Sequence, residues 1–232
     1  MSIDLAPRAF PGDRPVLLVH GLAVSAEQNW LGVVDALSAA GRGALLVHLP
    51  GHPGGARAAR GELALADLVE ALAAVIRESG QERADVVAHS LGARIAWALA
   101  AGGAVSRLVI DGIAPTDPFA ALDADALTAA VRGAQPIDPM TGMFARLVQA
   151  PGLDTDSVIA LIEGVGATRF DPGLDQPRVP TLIIGGADDV MARGGDRIAA
   201  GLPAGTFLEV PGDHEGALTS PEYARAVAGF LS

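Results

Sequence analysis

The sequence predicts an α/β protein, a mostly parallel sheet flanked by helices, with a helical segment inserted late in the sheet. Three observations lead to that class. Short unbroken apolar runs closed by glycine, such as "PVLLVHG" (15–21) and "VPTLIIGG" (179–186), are the pattern of strands buried on both faces. Stretches with helical spacing of apolar residues alternate with them. The alternation is suspended only once, from 114 to 178.

Taken in order, "PVLLVHG" opens the sheet and "WLGVVDALSAAG" (30–41) supplies the first helix, with Leu31, Val34, Leu37 and Ser38 near helical spacing and Gly41 as its stop. "ALLVHLPGHPGG" (44–55) is a second buried strand running into a Pro and Gly loop. "LALADLVEALAAVIRESG" (63–80) is an amphipathic helix ending at Gly80. The pattern repeats with a strand over 84–89, a helix over 91–101 and the strand "SRLVIDG" (106–112). Past the interruption come the strand at 179–186, a helix at 192–201, the strand "TFLEVPG" (206–212) and a closing helix "SPEYARAVAGFL" (220–231). Residues 114–178 are too long for an ordinary connection and hold two or three helix-like stretches, "DADALTAAVRGA", "MTGMFARLVQA" and "TDSVIALIEGVGA". Placed over the carboxyl ends of the strands they would form a lid, since that edge is where parallel sheets bind ligands. Met140, Met143, Phe144 and Leu147 are then candidates to line an apolar pocket, or else to anchor the lid.

Composition narrows the functional classes. The 232 residues are half hydrophobic, enough for one sizeable core, and carry 16 Lys and Arg against 27 Asp and Glu, a formal charge of −11. Such a surface repels phosphate backbones and anionic headgroups, so no nucleic-acid partner is expected. The absence of cysteine removes disulfides, thiolate catalysis and Cys-ligated zinc. The opening "MSIDLAPRAFPGDRP" lacks an apolar stretch of signal-peptide length, and no segment reaches the roughly 18 apolar residues of a membrane span. The expectation is a cytoplasmic protein with no membrane span, its oligomeric state left open.

The chemistry concentrates at "DVVAHSLGARIAWALA" (85–100), where a buried strand turns into a helix through Ala88-His89-Ser90-Leu91-Gly92. That context is required of a nucleophile elbow, G-x-S-x-G, with alanine at the first glycine. A serine at a helix start is otherwise a cap. A serine nucleophile needs a base within reach and an acceptor orienting that base. Later strand ends supply both, with Asp188 and Asp189 in "PTLIIGGADDV" and His214 in "FLEVPGDHEGAL".

With these motifs in the order Ser, Asp, His, the chain resembles the α/β-hydrolase fold superfamily from "LLVHG" to the last helix. The resemblance implies a hydrolase core over 1–113 and 179–232, with the helical lid, 114–178, inserted after the family's sixth strand. It implies Ser90 as nucleophile, His214 as general base and later acid, and Asp189 as the orienting carboxylate. Asp188 is the alternative if the count starts at Gly185, and Asp111 in "VIDG" is a reserve one strand earlier. The backbone N–H groups of Leu91 and of Leu22, after His20-Gly21, would form the oxyanion hole. His20 and His52 match structural histidines of the family's loops, and His48 stands where an aspartate is often found. "S-L-G-A-R" also resembles the elbow of a menaquinone-pathway synthase that eliminates pyruvate to form a succinyl-hydroxycyclohexadiene carboxylate; there the arginine, here Arg94, helps hold an anionic substrate. A surface or lid salt bridge is the competing role for Arg94.

The sequence thus points to a serine hydrolase acting on a small-molecule ester, thioester or lactone without a cofactor or metal, with Arg94, Met143 and Phe144 as substrate-binding candidates. The alternatives are lyase chemistry on the same triad, or a non-catalytic binding protein of this fold.

Overall fold

A computed structural model describes residues 3–232. Seven strands form one sheet: β1 (Arg8–Phe10), β2 (Asp13–Val19), β3 (Arg42–Val47), β4 (Ala84–His89), β5 (Val105–Asp111), β6 (Thr181–Gly186) and β7 (Gly205–Val210). Their order across the sheet is β1-β3-β2-β4-β5-β6-β7, and every neighbouring pair is parallel except β1 with β3. The order reverses around β2, so the ends of β2 and β4 diverge into a crevice suited to a ligand.

Helices α1 (Ala26–Ala39) and α8 (Pro221–Phe230) cover one face, where Trp30, Val33, Leu37, Tyr223 and Val227 belong to one core cluster with Val16 and Leu18 of β2. On the other face lie α2 (Leu65–Glu78), α3 (Leu91–Ala101), which crosses β2, β4 and β5, and α7 (Gly195–Gly201), which packs on β6 and β7; they share one core cluster with Leu17 and Val19. The alternation of Val16 and Leu18 with Leu17 and Val19 is the two-residue period of a strand buried on both sides. Between β5 and β6 run α4 (Ala124–Val131), α5 (Pro139–Leu147) and α6 (Thr155–Gly166), each capped by an aspartate: Asp123, Asp138 and Asp154. Ion pairs from Arg60 to Asp125 and Glu163 and the hydrogen bond from Ala58 N–H to Ser157 Oγ tie α4 and α6 to the loop after β3.

Two details depart from the sequence expectations. Helix α1 begins four residues earlier than expected, because Ser25 and Gln28 form a reciprocal capping box. The inward stripe is therefore Ala26, Trp30, Val33, Val34 and Leu37, while Leu31 and Ser38 face solvent. The antiparallel strand β1 was not expected, since three residues between prolines offer no period to read.

At the sheet edge opposite the crevice, Asp85 is buried between Arg42 and Arg107, each with a nitrogen 2.9 Å from Oδ2. The same arginines donate to the carbonyls of Phe230, Leu231 and Ser232, closing the carboxyl end of α8.

Candidate active site

The turn from β4 into α3 puts Ser90 at φ 51, ψ −114, a left-handed conformation that a non-glycine residue holds at a cost of about 1–3 kcal/mol. The turn stays tight because α3 crosses directly over β2: a Cβ on Gly92 would lie 2.4 Å from the Val19 carbonyl oxygen. Ser90 makes no capping bond to the helix it starts. Its hydroxyl lies 3.0 Å from His214 Nε2, whose Nδ1 is 2.9 Å from Asp189 Oδ2. His214 sits in the loop after β7 and Asp189 in the loop after β6, so parallel neighbours deliver both to one rim. With Nδ1–H donating to Asp189, the Nε2 lone pair is left to accept the serine proton.

Asp189 is fixed in turn, its Oδ1 accepting the N–H groups of Met191 and Ala192 at 2.9 and 3.1 Å. Burial alone would raise its pKa, but the bond to His214 and these amides outweigh burial and hold the carboxylate below its ordinary value. His214 moves the other way. Burial disfavours its charged form, yet Asp189, with smaller contributions from Asp111 and Glu215, lifts it above the 6.5 of a free imidazole. Asp188, one residue away, is exposed on the cavity rim. Asp111 is buried beneath, bonded through its carboxylate to His89 Nδ1 and the Tyr223 hydroxyl.

The Leu22 turn is held from both sides. Gly21 N–H donates to Asn29 Oδ1 at 2.9 Å and Ala23 N–H to His52 Nε2 at 3.1 Å, while the Leu22 N–H between them has no acceptor among the described residues. The Leu91 N–H, in the first turn of α3, is likewise without one. For His52 to accept, its Nδ1–H must donate to the Pro50 carbonyl, and burial pushes its pKa down to about 4, so the ring is neutral near pH 7. His20 has the same arrangement, accepting Leu49 N–H at Nε2 and donating from Nδ1 to the Gly21 carbonyl. Burial, then the neighbouring His52, keep it well below its ordinary value. Sequence reasoning missed Asn29 as a brace: eight residues from its partner, inside an ordinary helix, it carries no motif.

Above these residues lies a cavity of about 490 Å3. Leu22, Ile113, Phe119, Phe144, Leu147 and Phe170 form much of its wall, with Ser90 and His214 at the base, and Met143 also lines it. Met140 does not; it packs against the core beside them. Arg94 reaches the wall but is engaged there. One nitrogen donates to the Thr168 carbonyl at 2.5 Å, Nε lies 3.6 Å from Asp117 Oδ2, and the guanidinium stacks over Phe170 at 5.0 Å. Burial pulls its pKa below the ordinary value against the opposing charge of Asp117. Asp117, Asp188, Asp189, Asp213 and Glu215 also line the cavity, so carboxylates dominate its charge. Among the described residues, no helix is long and apolar enough to cross a membrane.

A family model described as alpha/beta hydrolase fold matches residues 14–132, just over half of the chain. No curated protein matches the chain in sequence. Among solved structures, BpoC of Mycobacterium tuberculosis, named as a non-heme bromoperoxidase, is 24% identical with a TM-score of 0.78, the match covering 100% of this chain and 96% of that one. A thermophilic esterase from Thermogutta terrifontis is 19% identical with a TM-score of 0.78, over 97% and 92% of the two chains. An enol-lactonase from Burkholderia xenovorans is 20% identical with a TM-score of 0.71, over 97% and 95%. At these identities the likeness is one of fold.

Proposed function

Because the chain belongs to the alpha/beta hydrolase family, we propose that it is a serine hydrolase that cleaves a neutral, largely apolar carboxylic ester, thioester or lactone through an acyl-enzyme on Ser90. The observation that carries this reading is the position of His214, its two ring nitrogens at 3.0 Å from Ser90 Oγ and 2.9 Å from Asp189 Oδ2. In the first half-reaction Ser90 Oγ adds to the carbonyl carbon as its proton passes to His214 Nε2. The oxyanion is stabilised by the unengaged N–H groups of Leu22 and Leu91, each such donor contributing about 3–4 kcal/mol. The intermediate collapses, the alcohol or thiol leaves with the proton from His214, and the acyl group stays on Ser90. A water then gives its proton to His214, attacks the acyl carbon, and the carboxylic acid departs as Ser90 regains its proton.

Residues 114–178 serve in this reading as the lid, its Phe119, Phe144 and Phe170 enclosing the acyl group and excluding water. Met143 and Phe144 shape the acyl site, whereas Arg94 fastens the lid to α3 through Thr168 and Asp117. A carboxylate-rich cavity, and the ion pair that Asp117 already makes with Arg94, weigh against an anionic substrate, and so against pyruvate elimination. The test is a panel of p-nitrophenyl esters of increasing acyl length beside a dicarboxylate monoester. Turnover of the neutral esters that Ser90→Ala abolishes is expected; preference for the anionic ester, or turnover surviving in Ser90→Ala, overturns the reading.

A further inference from the structure

A second carboxylate–imidazole pair lies directly beneath His214, and none of the acyl-transfer steps uses it. The Asp111 carboxylate, buried at the end of β5, accepts hydrogen bonds from His89 Nδ1 and from the Tyr223 hydroxyl on α8. Its backbone carbonyl accepts the N–H of Ser90 at 3.0 Å. The His89 ring, next in sequence to the nucleophile, is centred 4.8 Å from the His214 ring. The Cε1 atoms of both rings crowd the space over Gly112.

Burying a carboxylate costs several kcal/mol, and a neutral side chain of similar shape would link β5, the elbow and α8 at lower cost. What a carboxylate adds is charge. Acylation and deacylation both convert His214 to an imidazolium, and a fixed negative charge nearby favours that form without reorganisation.

We propose that Asp111 is a positioning residue that holds the elbow through its carbonyl and His89 through its carboxylate, and whose buried charge supports the imidazolium of His214. The inference rests on the serine-hydrolase reading of Ser90 and His214. Other groups face His214 as well. Asp189 bonds it from the β6 loop, Asp188, Asp213 and Glu215 stand around the rim, Asp117 and Arg94 lie across the cavity, and His89 is beneath. Asp188, Asp213 and Glu215 are exposed and screened by water and salt, whereas Asp111 is not. Asp111 is also among the groups that raise His214 above its ordinary value. Tyr223 touches Asp111 and keeps its own proton, since burial and then the carboxylate's charge raise the phenol well above its usual range.

The experiment pairs an NMR titration of His214, its signal identified by loss in His214→Gln, with pH profiles of ester hydrolysis. Asp111→Asn retains shape and removes charge. In it, His214 is expected to titrate at lower pH by roughly half a unit to one unit, and kcat to fall about three- to tenfold with KM unchanged. A wild-type titration in folded Asp111→Asn overturns the proposal. Should that variant not fold, the double variant Asp111→Asn, Tyr223→Phe decides, because it removes the charge together with the hydroxyl that faced it. The same fall in the pH at which His214 titrates supports the proposal, and a wild-type titration overturns it. The titration needs no turnover, so it stands apart from failure of the hydrolase reading, which would show as a wild-type protein inert toward every ester.

Discussion

Replacing Gly112 by alanine tests whether the position of His214, rather than its mere presence, sets the rate. A Cβ on Gly112 would lie 2.9 Å from His214 Cε1 and 3.1 Å from His89 Cε1, against the ~3.5–4.0 Å of an ordinary carbon contact. His89 is wedged by its bond to Asp111, so His214 must give way by about half an ångström. A misplacement of about 1 Å costs on the order of a hundredfold in rate, so a loss of roughly tenfold in kcat is expected. Separately, φ at Gly112 is +64°, and alanine there adds about 1–2 kcal/mol of strain, lowering Tm by roughly 2–8 °C. Gly80→Ala is the control, because Gly80 has φ +82° with nothing within 4 Å of its Cβ position. It should show a comparable Tm loss and wild-type kcat. The assay is kcat and KM on a p-nitrophenyl ester beside thermal melts of both variants. Equal kcat in the two would refute the steric argument.

The acid limb of the kcat/KM profile should lie above pH 6.5, because Ser90 can be deprotonated only by neutral His214, whose pKa is raised; a limb below 6.5 would contradict the environment described for this ring. Stability should decline as pH falls below 6.5. His52 stays neutral in the fold down to about pH 4 while the unfolded imidazole takes up a proton from 6.5 downward, about 3 kcal/mol in all. Chemical denaturation from pH 7 to pH 4 measures it, with His52→Phe showing a flatter dependence. Asp85→Ala strands two arginines at the far edge of the sheet and should lower stability by about 3–5 kcal/mol with KM and kcat unchanged below the melting point; a change of less than about 1 kcal/mol by denaturation would show the pairs to be dispensable.

The fold was legible because its strands are buried on both faces, so "PVLLVHG" and "ALLVHLPG" carry a continuous apolar signal that tertiary context does not override. The elbow was legible because the strand-to-helix corner compresses several requirements into five residues, Ala88 to Gly92. Asp189 and His214 could be read from their places after strands; Asp188 stayed an alternative because both acids follow the same strand by a few residues, and in the fold it is Asp189 that bonds His214. The start of α1 was missed although its signal, Ser25 followed three residues later by Gln28, is in the sequence. Other features had no local signal at all. The Tyr223–Asp111–His89 chain joins three elements more than a hundred residues apart at its extremes, and the Asn29 and His52 braces on the Leu22 turn exist only once α1 and the loop after β3 are packed. For Arg94 the sequence left both an anion ligand and a lid salt bridge open, because Asp117 comes from the inserted segment and shares no spacing rule with it.

The most direct test is the reaction of the protein with a fluorophosphonate, followed by intact-mass analysis, peptide mapping and a structure of the adduct. One phosphonyl group is expected on Ser90 Oγ, with its oxygen within hydrogen-bonding distance of the Leu22 and Leu91 N–H groups and no label in Ser90→Ala. An unlabelled wild-type protein that remains folded, or a label on any residue other than Ser90, would contradict acyl transfer at this site.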